Sequence, residues 1–322
     1  MKVLVTGGAG FIGSNVVRLL LDKGHHVTVL DNLSSGYESN LQRFTGIRFI
    51  RGDIRDIEAV RTAIDGAEAA FHLAASVGNK RSIDNPIEDA EINVLGTLRI
   101  LEASRRFGVR KVVFSSSAGI FGELKTLPIK EDHPVEPDSP YGASKLCAEK
   151  MCLAYAQLYG LEVACLRYFN VYGPNQRYDA YGNVIPIFAN SVLQGIPLTI
   201  FGDGEQTRDF VSVHDVARAN VNAAMTKKAK GVFNLGSGTR VTINCLAEMV
   251  ADAAGVKLDK RHAPARKGDV RHSLADISHA QAAFGFAPVV DLRKGLAEYI
   301  AWLKKELAGV QKEANVFPKK SM

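Results

Sequence analysis

This 322-residue chain begins with Met1-Lys2-Val3-Leu4-Val5-Thr6-Gly7-Gly8-Ala9-Gly10-Phe11-Ile12-Gly13. An apolar, β-branched run meets glycines spaced three residues apart, and a helical apolar pattern follows over 11–22. Gly7 permits a tight turn, Gly10 lets the backbone approach a pyrophosphate, and Gly13 lets the helix pack against the strand. The helix N-terminus supplies amide donors and positive potential to phosphates. The stretch therefore predicts a dinucleotide site between the first strand and the first helix.

A second predicted strand, over 27–30, ends in Asp31. A carboxylate at that position accepts a hydrogen bond from a ribose 2′-hydroxyl and repels a 2′-phosphate, so we predict NAD rather than NADP as the cofactor. The alternative is a glycine-rich turn that binds nothing. We disfavour it because the whole strand–turn–helix–strand–acid unit is present.

Apolar runs alternate with helical patterns over the first half of the chain. We predict strands over 2–6, 27–30, 47–50, 69–73, 110–114 and 162–167, and helices over 11–22, 56–64, 87–106 and 140–159. This alternation is typical of an α/β fold with a doubly wound parallel sheet (Rossmann), whose ligands bind at the carboxyl ends of the strands. We expect residues 1–167 and 213–235 to form that NAD-binding domain, 168–212 and 236–310 a smaller C-terminal substrate-binding lobe, and 311–322 a flexible tail.

Composition favours a soluble, cytoplasmic enzyme. The net charge is +6, but the basic residues are spread out, so we expect no nucleic-acid partner. No apolar run is as long as a membrane span, and the first strand begins too early for a signal peptide. The four cysteines and eight histidines show no metal-ligand spacing, so we predict reduced thiols and no metal.

A second motif is Ser139-Pro140-Tyr141-Gly142-Ala143-Ser144-Lys145. Pro140 suits the first helical position, with Ser139 or Asp138 as the N-cap. Tyr141 and Lys145 are four residues apart and share one helix face. The positive helix end and the Lys145 ammonium would both favour a phenolate, making Tyr141 a base near neutral pH. Alone, the pair is better explained by an ordinary tyrosine and a solvated lysine; the N-terminal motif reverses that preference.

Together these motifs resemble the extended short-chain dehydrogenase/reductase superfamily, in its nucleotide-sugar epimerase/dehydratase branch. The resemblance covers nearly the whole chain. It extends to Ser117, Gly52-Asp53-Ile54-Arg55-Asp56, His72-Leu73-Ala74-Ala75, Asn93, Arg167-Tyr168-Phe169-Asn170-Val171-Tyr172-Gly173-Pro174, Arg208-Asp209-Phe210 and Gly268-Asp269-Val270-Arg271-His272-Ser273. It implies an NAD-dependent enzyme that acts on a UDP-sugar and forms a homodimer.

The resemblance also implies the roles of individual residues. The catalytic residues would be Ser117, Tyr141 and Lys145. The cofactor site would comprise Gly7, Gly10, Phe11, Ile12, Gly13, Asp31, Asn32, Ser35, Gly36, Asp53, Ile54, Leu73, Ala74, Ala75, Asn93, Ser115, Tyr141, Lys145 and Tyr168. The substrate would contact Ser117, Asn170, Asn183, Val184, Arg208, Arg271 and Ser273. The two arginines would clamp the diphosphate, although ion pairs with Asp209 and Asp269 explain them equally well from sequence alone.

The residues after Ser117 bear on the reaction. The 4,6-dehydratases of this family usually place an acid there, because elimination of water needs an acid–base pair. Here Ala118-Gly119-Ile120-Phe121 follows, which favours C4 epimerisation through a transient 4-keto sugar, although Glu123 lies nearby.

The expected substrate is UDP-N-acetylglucosamine/UDP-N-acetylgalactosamine, with UDP-glucose/UDP-galactose as further substrates. Relatives that prefer non-acetylated sugars tend to carry a tyrosine at the position of Ser273, and a serine leaves room for a 2-acetamido group. Lys80 or Arg81 would instead suit the carboxylate of UDP-glucuronate. The alternatives are therefore a UDP-glucuronate 4-epimerase, a 4,6-dehydratase and a non-catalytic dinucleotide-binding module.

Overall fold

The computed structural model of the protein describes residues 1–178, 183–265 and 270–316. Its strands are β1 (Lys2–Thr6), β2 (His26–Asp31), β3 (Arg48–Arg51), β4 (Ala69–His72), β5 (Lys111–Ser117), β6 (Glu162–Tyr168), β7 (Asn170–Tyr172), β8 (Leu198–Phe201), β9 (Thr207–Arg208), β10 (Phe210–Ser212), β11 (Gly231–Leu235), β12 (Val241–Thr242) and β13 (Lys260–Ala263). Its helices are α1 (Phe11–Asp22), α2 (Ile57–Ile64), α3 (Asn79–Asp84), α4 (Pro86–Ala90), α5 (Thr97–Arg106), α6 (Pro140–Tyr159), α7 (Val184–Leu193), α8 (Val213–Met225), α9 (Ile243–Ala254), α10 (Ser278–Phe284) and α11 (Leu292–Val316). A π-helical segment, Glu91–Gly96, joins α4 to α5.

Seven strands form one parallel sheet in the order β11-β6-β5-β4-β1-β2-β3. The strand order reverses between β1 and β4, which opens a crevice at their carboxyl ends. All six predicted strands lie in this sheet, and β11 is the predicted return of the chain to it. The predicted doubly wound parallel sheet is therefore confirmed.

Helix ends agree with the local signals in the sequence. The predicted helices over 11–22 and 140–159 have those bounds. Asp56 is the N-cap of α2, because its carboxylate accepts from two backbone N–H groups of the first turn. The helix predicted over 87–106 begins one residue earlier and contains the π-helical segment, and the short α3 was not predicted.

The apolar core has three parts: one on each face of the sheet and one in the second half of the chain. Apolar side chains of α1 and α8 cover one face of the sheet, and those of α2, α5 and α6 cover the other. A further apolar cluster lies among α7, α9 and α11. The last helix reaches Val316, beyond the start of the expected tail, and residues 317–322 lie outside the described residues.

His72, the last residue of β4, joins the ends of two central strands to α5. Its Nδ1 lies 2.7 Å from Thr6 Oγ1 and its Nε2 lies 3.0 Å from Thr97 Oγ1. Thr6 Oγ1 also accepts from the Ala74 N–H, and Thr97 Oγ1 donates to the Asn93 carbonyl. One proton arrangement satisfies all four contacts: Thr6 donates to Nδ1, and Nε2–H donates to Thr97. The imidazole is therefore neutral in the fold.

We expect His72→Gln to remove one component of the pH dependence of stability. Burial, aided by the Lys145 charge, lowers the pKa of His72 from 6.5 to about 3. Because the pKa is depressed in the fold, the contribution of the neutral ring is complete above pH 6.5 and is lost as the pH falls from 6.5 towards 3. Glutamine keeps one donor and one acceptor but takes up no proton.

Denaturant unfolding above and below pH 6.5 measures this effect. On acidification the wild type should lose more stability than the variant. The reason is that unfolding of the wild type takes up as much as one additional proton, on His72. His26→Gln changes an exposed histidine and should behave like the wild type. Equal acid sensitivity of His72→Gln and the wild type would show that the ring is not buried in its neutral form.

Candidate active site

The glycine-rich turn after β1 is closely packed on one side and open on the other. Gly7 has a φ of +69°, and a Cβ there would lie 2.6 Å from the Ala74 nitrogen. A Cβ on Gly13 would overlap the Gly7 carbonyl oxygen. A Cβ on Gly10 would meet only that same oxygen, at 3.2 Å. Gly7 and Gly13 are thus required by backbone packing, whereas Gly10 leaves its outer side free for a ligand.

Asp31 lies at the carboxyl end of β2, directly beside this turn. Its two carboxylate oxygens accept from the backbone N–H groups of Ala9 and Leu33, at 2.9 and 2.8 Å. Burial raises the pKa of Asp31, and these two hydrogen bonds oppose the rise. Each oxygen keeps a second acceptor site for a ribose hydroxyl.

Asp53 is fixed beside Asp31 by its neighbours. Its carboxylate accepts from the Arg55 backbone and guanidinium and, at 2.8 Å, from the Asn32 amide. The Arg55 side chain is the main reason that the pKa of Asp53 falls to about 2. This carboxylate is therefore ionised at the edge of the crevice.

Helix α6 begins as predicted and presents Tyr141 in its first turn. Ser139 is the N-cap, accepting from the Gly142 N–H at 3.2 Å, and Pro140 is the first helical residue. The Tyr141 N–H donates to the hydroxyl of Ser82 at 3.0 Å. Ser82 is fully buried, so α3 holds the first turn of α6 in place.

Ser117, the last residue of β5, meets Tyr141 across a glycine. The Ser117 hydroxyl accepts from the Gly119 N–H at 3.1 Å. A Cβ on Gly119 would lie 3.3 Å from Ser117 Oγ and 3.5 Å from Tyr141 Cε1. The structure thus brings these two predicted catalytic residues together.

The acidity of Tyr141 corrects the sequence prediction. Burial raises the pKa of Tyr141, the Ser117 hydroxyl opposes the rise, and the Asp89 charge adds to it. The expectation of a lowered pKa is wrong for the protein alone, because the loss of solvation outweighs the opposing effect of Ser117.

Lys145 lies one turn after Tyr141 and is buried, with 3% of its surface exposed. Its Nζ lies 4.6 Å from the centroid of the Phe114 ring. Burial lowers the pKa of Lys145 to about 8. Among the described residues the ammonium has no hydrogen-bonded acceptor, which is costly for a buried charge unless a ligand supplies one. With the open side of Gly10 and the free acceptor sites of Asp31, this fits a dinucleotide whose ribose hydroxyls reach Lys145.

Other predicted cofactor residues shape this edge of the sheet. The Asn93 amide bonds to both the N–H and the carbonyl of Ser76, so Asn93 fixes the loop after β4. Tyr168 donates to the Asn220 side chain at 2.9 Å, and Ile54 is buried against Gly96. The first turn of α1, the loops after β2 and β4, and β5 hold the rest: Phe11, Ile12, Ser35, Gly36, Leu73, Ala74, Ala75 and Ser115.

The predicted substrate residues come from separate segments of the second half of the chain. Asn170 begins β7, Arg208 ends β9, and Asn183 and Val184 begin α7. Thr207, next to Arg208, donates its N–H to the Arg271 carbonyl and accepts from the Ser273 N–H. The backbone thus places Arg208, Arg271 and Ser273 side by side.

Arg271 is paired, but with a residue that the sequence did not indicate. Its two terminal nitrogens lie 2.7 and 2.8 Å from the carboxylate oxygens of Asp203. This pair holds the pKa of Asp203 well below its usual range. Asp209 instead accepts from backbone N–H groups, including that of Ala275. Asp269, the other expected partner, lies outside the described residues.

Two absences hold for the described part of the chain. Over residues 1–178, 183–265 and 270–316, no helix combines the length and the hydropathy needed to cross a membrane. Within the same residues, no three His, Cys, Asp or Glu side chains are grouped so that they could hold a metal ion.

Known proteins share this chain's sequence and architecture. Residues 3–236 match the model of the NAD dependent epimerase/dehydratase family. UDP-glucose 4-epimerase of Mycolicibacterium smegmatis is 40% identical over 311 residues, which cover 95% of this chain and 99% of that protein. Relatives at 35% identity include a UDP-glucuronate 4-epimerase of Thermodesulfobacterium geofontis (94% and 96% covered) and a dTDP-glucose 4,6-dehydratase of Streptomyces niveus (96% and 94% covered).

Solved structures agree with these relatives. UDP-N-acetylglucosamine 4-epimerase of Methanobrevibacter ruminantium, in complex with UDP-N-acetylmuramic acid, matches with a TM-score of 0.91 and 37% identity over 95% of this chain and 98% of that chain. UDP-glucose 4-epimerase of Thermus thermophilus, in complex with NAD, matches with a TM-score of 0.87 and 40% identity over 94% and 99%.

Proposed function

Because the chain belongs to the NAD-dependent epimerase/dehydratase family, we propose that it catalyses the C4 epimerisation of a UDP-hexose. One observation carries the proposal. Ser117 and Tyr141 both border Gly119 at the carboxyl edge of the sheet, with the buried Lys145 one turn further along α6. The names of the relatives, which include UDP-glucose and UDP-N-acetylglucosamine 4-epimerases, support the UDP-sugar substrate.

In the proposed reaction the C4 hydroxyl is oxidised to a ketone, which is later reduced again. Tyr141, Ser117 and Lys145 each have a separate role in it. NAD⁺, when bound, supplies the reversible hydride acceptor that this chemistry needs. Tyr141 takes the proton of the C4 hydroxyl and returns it, while the Ser117 hydroxyl donates to the same oxygen as it becomes a carbonyl. Lys145 donates to ribose hydroxyls, and its charge favours the phenolate of Tyr141. Epimerisation follows when the 4-keto sugar presents its other face.

The dehydratase alternative lacks an acid–base group at the required place. Ala118–Ile120 form a short 3-10 turn directly after Ser117, and none of the three can transfer a proton. Glu123 is exposed. An exposed carboxylate is poorly suited to protonate a leaving hydroxyl in a closed site. The epimerase proposal is therefore better supported.

The preferred sugar is proposed from Ser273. This side chain is 9% exposed and lies two residues after Arg271, with its N–H bound to the Thr207 carbonyl. A serine here leaves room for a 2-acetamido group, which supports UDP-N-acetylglucosamine and UDP-N-acetylgalactosamine, with UDP-glucose and UDP-galactose also accepted. UDP-glucuronate is less well supported, since the Lys80 ammonium lies 2.9 Å from Asp84.

We also propose a homodimer built on α3–α6. Several large apolar side chains are exposed on these helices: Ile83, Ile87, Leu95, Leu158 and Tyr159. Large exposed apolar side chains on neighbouring helices are a feature of interfaces between subunits. A second copy of the chain is the proposed partner.

Proton NMR of the purified, NAD-loaded protein tests the reaction. Incubation with UDP-N-acetylglucosamine should produce the anomeric signal of the C4 epimer without net NADH. Tyr141→Phe should keep NAD bound and lose about a thousandfold in turnover, because general acid–base catalysis contributes about 100- to 10,000-fold. A 4-keto-6-deoxy product, or unchanged turnover in the variant, would contradict the proposal.

Ser273→Tyr tests the choice of sugar. The larger side chain should reduce kcat/KM for UDP-N-acetylglucosamine by about tenfold or more while sparing UDP-glucose, since steric exclusion of this size is worth about 10- to 200-fold. Ser273→Ala keeps the site small and should leave the ratio of the two kcat/KM values unchanged. Equal losses on both sugars in the tyrosine variant would count against Ser273 as the selective position.

Sedimentation equilibrium tests the dimer. The wild type should have twice the mass of one chain, and Leu158→Lys should shift it towards monomer, because a buried unpaired charge opposes association. Ile196→Lys places the same charge at an exposed apolar position outside these helices and should remain dimeric. A monomeric wild type would refute this assembly.

A further inference from the structure

Asp89 is a buried carboxylate that the proposed chemistry does not use. It lies in α4 with 1% of its surface exposed. Its oxygens accept from the Ser144 hydroxyl at 2.5 Å and from the Asn93 amide at 3.1 Å. Among the described residues it has no ion-pair partner. A buried carboxylate that is hydrogen-bonded only by neutral donors costs free energy, which suggests that this residue has a function.

The two donors connect Asp89 to both halves of the site. Ser144 lies between Tyr141 and Lys145 on α6, and its hydroxyl is also 3.0 Å from the Tyr141 carbonyl. Asn93 holds the Ser76 backbone in the loop after β4 and also donates to the Ser144 hydroxyl. A single carboxylate therefore joins the first turns of the catalytic helix to the loop that borders the cofactor site.

The charge of Asp89 acts on both titrating residues. It adds to the rise in the pKa of Tyr141, because a negative neighbour disfavours a phenolate. It also raises the pKa of Lys145 against the effect of burial, because it favours an ammonium. Asp89 thus disfavours the phenolate of Tyr141 while keeping the ammonium of Lys145 protonated.

Four other titratable groups face this pair. They are Glu149 and Cys152 of α6, Cys165 of β6 and His72 of β4. The Glu149 carboxylate is bound by the Arg167 guanidinium at 2.7 and 3.0 Å. The imidazole of His72 is neutral near pH 7, because burial lowers its pKa to about 3. Asp89 is therefore a buried carboxylate beside the pair that has no ion-pair partner among the described residues.

We propose that Asp89 is a positioning residue that, through Ser144 and by its charge, sets the pH range in which Tyr141 is a base and Lys145 an ammonium. This role rests on the proposed epimerase function. Asp89 acts indirectly, because its hydrogen bonds are made to Ser144 and Asn93.

The pH profile of kcat/KM for the epimerisation is the first test. Asp89→Asn removes the charge and keeps an oxygen for the Ser144 hydroxyl. Both limbs of the profile should move to lower pH, because Tyr141 becomes more acidic and the Lys145 ammonium gives up its proton more readily. Glu88→Gln neutralises the adjacent, exposed carboxylate of the same helix and should leave both limbs in place.

A purely structural role would give a different result. It would lower kcat/KM by the same factor at every pH, and that outcome would overturn the proposal. Asp89→Glu keeps the charge and should retain the wild-type limbs, whereas Asp89→Ser should reproduce the shift of Asp89→Asn. These two variants distinguish an effect of the Asp89 charge from a purely structural role even if the asparagine variant does not fold.

Tyrosinate absorbance gives a readout independent of turnover. The Tyr141 component of the titration is obtained from NAD-loaded protein by subtracting the curve of Tyr141→Phe. In the Asp89→Asn background this component should move to lower pH; an unmoved component would overturn the proposal. A wild type without epimerase activity would refute the proposed function and leave this titration interpretable.

Discussion

A buried ammonium that has no hydrogen-bonded acceptor among the described residues is the constraint on which this site depends. Lys145 is desolvated by the packing of α6 against the sheet and faces the ring of Phe114. The helix contributes a tyrosine one turn earlier, also desolvated, whose acidity falls as a result. Neither residue is suited to its role in the protein alone. On the proposed function, a bound dinucleotide would supply hydroxyl acceptors and positive charge, so catalysis would depend on cofactor binding.

Features that depend on residues close together in sequence were predicted correctly. The glycine spacing after β1 and the Ser139-Pro140 cap are local geometric requirements, and the bounds of α1 and α6 followed from them. The strands followed from continuous apolar runs, as buried parallel strands require. Short α3 escaped prediction because its six residues, mostly polar, carry no helical period. The π-helical segment has no sequence signature that distinguishes it from an α-helix.

Features that depend on distant contacts were not predictable. Asp269 was the ion-pair partner that the sequence offered for Arg271, as the alternative to a diphosphate clamp, yet the observed partner Asp203 lies 68 residues away. The acidity of Tyr141 was predicted in the wrong direction, because a sequence shows the charge of Lys145 but not the depth at which both side chains are buried. Asp89 is an ordinary acidic residue in sequence, and only the fold places it against Ser144.

The Arg271–Asp203 ion pair lies beside the predicted substrate residues Arg208 and Ser273, and it differs in exposure from the charges around Tyr141. Both side chains are 55% exposed, so the pair adds little stability by itself. Asp203 uses the two terminal nitrogens of Arg271 and leaves the Nε–H edge of the guanidinium free for a phosphate. The pair therefore orients an arginine at modest electrostatic cost. In contrast, Lys145 and Asp89 are buried, where each uncompensated charge strongly shifts its neighbours. Burial thus explains why the charges of Lys145 and Asp89 affect their neighbours more strongly than the exposed Arg271–Asp203 pair does.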